Sequence, residues 1–74
     1  MVMGQKQTTI IPKAACARIL IRAGAQRVSA YAAEALAEVL EEKAKEIGEQ
    51  ANRISKHAGR KTVHDTDIAI AAKQ

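Results

Sequence analysis

SAYAAEALAEVLEEKAKEIGEQANRISKHAG, residues 29–59, is the stretch on which the fold turns. It contains no proline, its one interior glycine is Gly48, and alanine, leucine, glutamate and lysine dominate it, residues that lose little rotamer freedom on entering a helix. Ser29 is a good N-cap, although Ala32 at the third helical position denies it a capping box, and Gly59 stands where a C-cap glycine belongs. If each residue turns about 100°, Ala32, Leu36, Val39, Leu40, Ile47, Ala51, Ile54 and Ala58 fall within an arc of roughly 120°. Glu34, Glu38, Glu42 and Glu46 run along the outside at four-residue spacing, and Glu41 with Lys45 and Glu49 with Arg53 are favourably spaced for helix ion pairs. One long amphipathic helix is expected from residue 30 to about residue 58, spanning roughly 40 Å. Lys43 falls inside the apolar arc and must either extend its charge to the edge or find Glu46.

Outward from this helix, both flanks read as shorter ones. Pro12 suits a helix start, and Cys16, Ile19, Leu20 and Ala23 recur at helical spacing, with Arg18 and Arg22 one turn apart on another side. This first helix ends at Gly24, and residues 25–28 connect it to Ser29. Residues 60–63 form the second connector, and His64-Asp65-Thr66-Asp67 opens a third, brief helix with acids in its first turn. Ile68, Ala71 and Ala72 share one side of that helix while Ile70 points nearly the other way, which implies two different contacts. Residues 1–9, polar with little to bury, are expected to be a flexible tail whose Lys6 touches a polyanion loosely, and residues 10–74 one all-α domain.

A lone chain of 74 residues buries only about 60% of the surface its unfolded form exposes, so stability must come from elsewhere. A single cysteine, Cys16, excludes an internal disulfide and leaves too few thiols for a zinc module. Oligomerisation remains. The long helix cannot fold back on itself, so two of them should cross antiparallel between chains, with Leu36, Val39, Leu40, Ile47 and Ala51 in the seam. That geometry brings the first loop of one chain, with Arg27, beside the second loop of the other, with Lys61 and Thr62.

Twelve Lys plus Arg against eight Asp plus Glu give a net charge of +4, and the charges are segregated. Residues 1–33 are basic without an acid, residues 34–49 hold six glutamates, and the balance beyond Arg53 turns basic again, a pattern that favours a polyanionic partner. No signal-like segment and no run of 18 apolar residues occurs, so an intracellular protein without a membrane span is expected. His57 and His64 with Asp65 and Asp67 lack a compact ligand spacing, so no metal is expected. No nucleophile beside a base, phosphate-cradling glycine loop or carboxylate pair points to an enzyme, and no cofactor is called for.

The strings Arg18-Ile19-Leu20, Ala23-Gly24-Ala25-Gln26-Arg27-Val28-Ser29, Leu40-Glu41-Glu42 and His57-Ala58-Gly59-Arg60-Lys61-Thr62-Val63, in this order of elements, resemble an archaeal histone over about residues 12–74. The resemblance implies a histone fold, an intertwined antiparallel dimer, and DNA wrapped and compacted without sequence preference. It implies that Arg27 enters the minor groove and is hydrogen-bonded by Thr62 of the paired loop; insertion of histone arginines into inward-facing minor grooves is itself a general example of such binding. Lys61, Arg18 and Lys13 would contact phosphates, and Ser29 would offer its hydroxyl at a helix N-terminus that also receives phosphate. By the same resemblance Arg60 and Asp67 brace the second loop, Ile54, His57, Asp67 and Ile70 meet a second dimer, and Gly24 lets dimers stack in a longer superhelix. The partners implied are double-stranded DNA and a second copy or a paralogous histone, in the cytoplasm on the chromosome. The competing expectation is a histone-fold subunit of a transcription-factor-like complex that mainly holds proteins; basic groups in both loops argue for DNA. Ala30 and Tyr31 stand where the family often has acids, and Lys43 where it usually has an apolar residue.

Overall fold

The structure, a computed structural model, describes residues 9–73. Lys6 and the tail expected over residues 1–9, Thr9 excepted, lie outside the described residues, as does Gln74. Among the described residues the elements are three helices and no strand: α1 (Lys13–Arg22), α2 (Ala30–His57) and α3 (Asp65–Ala72).

Local chemistry sets each boundary. Pro12, at φ −68°, is the N-cap of α1, and its carbonyl accepts the Cys16 N–H at 3.3 Å. At the far end Gly24 N–H donates to Ile21 O and Ala25 N–H to Leu20 O, both at 3.0 Å. This pair of bonds is a Schellman motif, and it needs a left-handed residue, which Gly24 supplies at φ +117°. α2 ends the same way: Gly59 N–H donates to Lys56 O at 2.9 Å, Arg60 N–H donates to Ser55 O at 3.0 Å, and Gly59 has φ +75°. α2 starts on Ser29, whose Oγ accepts the Ala32 N–H at 3.0 Å. α3 starts after His64, whose backbone N–H donates to the Asp67 carboxylate at 2.9 Å.

The chain divides into two compact units, Met1–Glu42 and Lys43–Gln74, and α2 runs through both. In the first, Cys16, Ala33 and Ala37 are buried, with Ile11, Ala17, Val28, Leu36 and Leu40 packed against them. Glu41, expected to pair with Lys45, accepts the Ile10 N–H at 3.0 Å instead. In the second, Ala51, Ser55, Asp67 and Ala71 are buried, and Lys43 Nζ lies 3.9 Å from Glu46.

In the first unit Ala33 and Ala37, and in the second Ala51 and Ser55, are buried pairs at four-residue spacing on α2, by helical periodicity roughly 80° from the centre of the apolar arc. Small side chains there let neighbouring chain approach closely. The larger residues of the arc are left over: Val39 is 62% exposed, and Leu36, Leu40, Ile47 and Ile54 are only half-buried. No leucine, isoleucine or valine among the described residues is fully buried. A core of alanines and one cysteine gains little from apolar transfer, at about 25 cal/mol per Å².

Candidate nucleic-acid interface

The first basic cluster grows from the α1–α2 connection. The Schellman turn at Gly24 redirects the chain, and Arg27, exposed, lines an open groove with Leu20, Ala25, Val28, Ser29 and Ala32. Ser29 uses one lone pair on the Ala32 N–H, so its own O–H remains a donor. The first turn of α2 holds no acid, and its leading N–H groups point out of the helix end with the positive pole of the macrodipole. An anion would meet a guanidinium, a hydroxyl and backbone donors together. Arg18 is exposed on α1, and Lys13, 48% exposed at the first position of α1, has Glu34 at 3.9 Å as a loose partner.

The second cluster is the α2–α3 connection, and its rigidity comes from a buried carboxylate. Arg60 and Asp67 form a two-pronged ion pair, with the two guanidinium nitrogens 3.0 and 3.1 Å from the two carboxylate oxygens. One of those nitrogens also donates to Thr62 O at 2.9 Å, and the His64 N–H completes the set of donors to Asp67. The Arg60 hydrogen bonds, followed by the one from His64, hold the Asp67 carboxyl well below its usual 3.8, at about 2. From inside α2 the Ser55 hydroxyl lies 3.0 Å from Thr62 O and 3.2 Å from Arg60 O, its single proton serving both. With the carbonyls on either side of Lys61 held, the side chains of Lys61 and Thr62 stay exposed. Ser55 has no counterpart in the expectations drawn from sequence. A serine in a long polar helix reads as solvated, and its one signal is its spacing of four from Ala51.

Asp67, expected both to brace the loop and to meet a second dimer, has a carboxyl that is 3% exposed within one chain and accepts three hydrogen bonds, from Arg60 and from the His64 N–H. Ala51, expected in the seam between chains, is 0% exposed within one chain because it pairs with Ser55 on the buried side of α2. Ile54 and His57 near the end of α2 and Ile70 on α3, half exposed, keep surface to offer. Gly24, expected to let dimers stack, takes the left-handed turn after α1, and a Cβ there would meet nothing within 4 Å in its own chain.

Residues 9–72 match the family described as histone-like transcription factor (CBF/NF-Y) and archaeal histone. The chain belongs to this family. Among its relatives, one of the subunits of archaeal histone HAN1 from Thermococcus zilligii is 51% identical over 63 residues, covering 85% of this chain and 94% of the relative. Probable archaeal histone 3 of Methanocaldococcus jannaschii is 49% identical over the same shares of the two chains. Short helix, loop, long helix, loop and short helix are therefore the histone fold, and the two basic clusters are its two loops. No helix among the described residues is long and apolar enough to cross a membrane.

Proposed function

We propose that this histone-fold chain binds double-stranded DNA through the backbone and minor groove, without sequence preference, and compacts it on the chromosome. The unit that binds is an antiparallel dimer with a second copy or a paralogous histone-fold chain, and dimers meeting through Ile54, His57 and Ile70 build larger assemblies along the DNA. The observation that carries this is the make-up of the loops. Arg27 and Ser29 sit at an acid-free helix N-terminus, and Lys61 and Thr62 are presented by a braced turn that consumes Asp67 internally. Phosphate contacts of this kind position a duplex without reading it, and an arginine in the minor groove reads width and charge more than sequence. A module built mainly to hold proteins need not keep both loops basic.

Titration of mixed-sequence duplexes at several salt concentrations tests this. Each neutralised phosphate contributes about 0.9 to the slope of log K against log salt, so the slope should be steep and alike for unrelated duplexes. Arg27→Ala in both chains should lower it by up to about 1.8 with little change in thermal stability. A flat plot would exclude the DNA function.

A further inference from the structure

Among the described residues two polar side chains are buried, Asp67 and Ser55, and both are spent on the second loop. Asp67 holds the Arg60 guanidinium, and Ser55, from α2, holds the main chain. A serine inside a helix can turn its hydroxyl back to the carbonyl one turn earlier. Ser55 instead reaches out of the helix to Arg60 O at 3.2 Å and Thr62 O at 3.0 Å, while its own carbonyl accepts the Arg60 N–H at 3.0 Å. One residue thus grips Arg60 at both its N–H and its C=O. The two loop carbonyls do not depend on it equally. Thr62 O also receives the Arg60 guanidinium at 2.9 Å, whereas the donor to Arg60 O is the Ser55 hydroxyl. The planar peptide that rests most on Ser55 is therefore the one joining Arg60 to Lys61, and it sets the direction in which the Lys61 side chain leaves the loop.

We infer that Ser55 is a positioning residue for DNA binding: without touching the duplex, it holds Lys61 and Thr62 in the geometry that meets it. A loop fixed before binding has less freedom to lose on the duplex, so the buried hydroxyl raises affinity by lowering that cost. The effect on affinity rests on the DNA reading proposed above, and the effect on the loop rests on hydrogen bonds within one chain. Ser55→Ala keeps the helix, since alanine is the better helix former, and leaves Arg60 O without its donor.

Duplex titration of wild type, Ser55→Ala, a Lys61→Ala, Thr62→Ala chain and the chain carrying all three changes tests it, at a temperature where melts show each to be folded. Backbone amide relaxation of the free proteins, read by NMR, accompanies the titrations. Ser55→Ala should raise backbone mobility at Lys61 and Thr62 and weaken duplex binding about three- to tenfold, the range that one hydrogen bond covers. In the chain without the Lys61 and Thr62 side chains the same substitution should change affinity by less than about twofold, because nothing is left to position. An equal loss in both backgrounds would mean that Ser55 acts through the fold as a whole and would overturn the role, as would a loop no more mobile in Ser55→Ala than in wild type. A wild type that binds no duplex would overturn the DNA reading and this role with it, even where relaxation shows Ser55 holding the loop.

Discussion

At the scale of single residues, the second loop is organised by a carboxylate that faces inward. Asp67 binds Arg60 through both oxygens and caps the start of α3 through His64, while Ser55 holds the same loop from below. A carboxyl whose pKa falls from 3.8 to about 2 on folding binds its proton more tightly in the unfolded chain. Its contribution is thus fully present above about pH 4 and is lost as pH falls through about 2. Asp67→Asn should therefore be less stable than wild type at neutral pH, and the gap between the two should close as pH falls from about 4 to about 2. Denaturant melts across that range check this, and a gap independent of pH would mean that Asp67 acts by shape and not by charge. The charged pair of Arg60 and Asp67 was expected only through the resemblance to archaeal histones, and Ser55 was not expected at all, because a hydroxyl's use depends on which carbonyls the fold turns toward it.

At the scale of elements, the helix ends were the most legible feature. Ser29, Gly24 and Gly59 each announce a boundary through the backbone geometry that their side chains, or lack of one, permit, and the structure uses all three. Ser29 has two roles, cap and proposed phosphate donor, and they separate by substitution. Ser29→Ala should cost about 1 kcal/mol through loss of the cap and weaken DNA binding as well. Ser29→Asp should keep the cap and the stability yet weaken DNA binding more, because a carboxylate then stands where phosphate is received. Thermal melts beside duplex titrations read the two effects, and an aspartate variant with undiminished affinity would remove the α2 N-terminus from the interface. Less legible was the separation of the small buried residues of α2 from its larger apolar ones. Alanine carries so little hydrophobic signal that Ala33 and Ala37 do not stand out in the sequence, and Ala51 merges with the larger residues next to it. Burial in the structure separates the small residues used within the chain from the arc left over.

At the scale of the whole molecule, the leftover arc decides the account. A chain that buries alanine, cysteine and serine while Val39, Ile19, Ile68 and Ile70 stay substantially exposed has its main apolar surface still to cover. In the antiparallel dimer proposed above, each proposed DNA-binding end would be a composite of two chains, Arg27 and Ser29 from one with Lys61 and Thr62 from the other. Neither loop is then sufficient, and complementation measures this directly. An Arg27→Ala chain and a Lys61→Ala, Thr62→Ala chain each form dimers with both ends damaged. Refolded together they form mixed dimers in which one end carries both lesions and the other carries none. The measurement is duplex affinity of the refolded mixture against each variant alone, at protein concentrations that maintain dimers. The composite site predicts that the mixture binds more tightly than either variant. An affinity lying between the two would contradict it and return the binding site to the single chain.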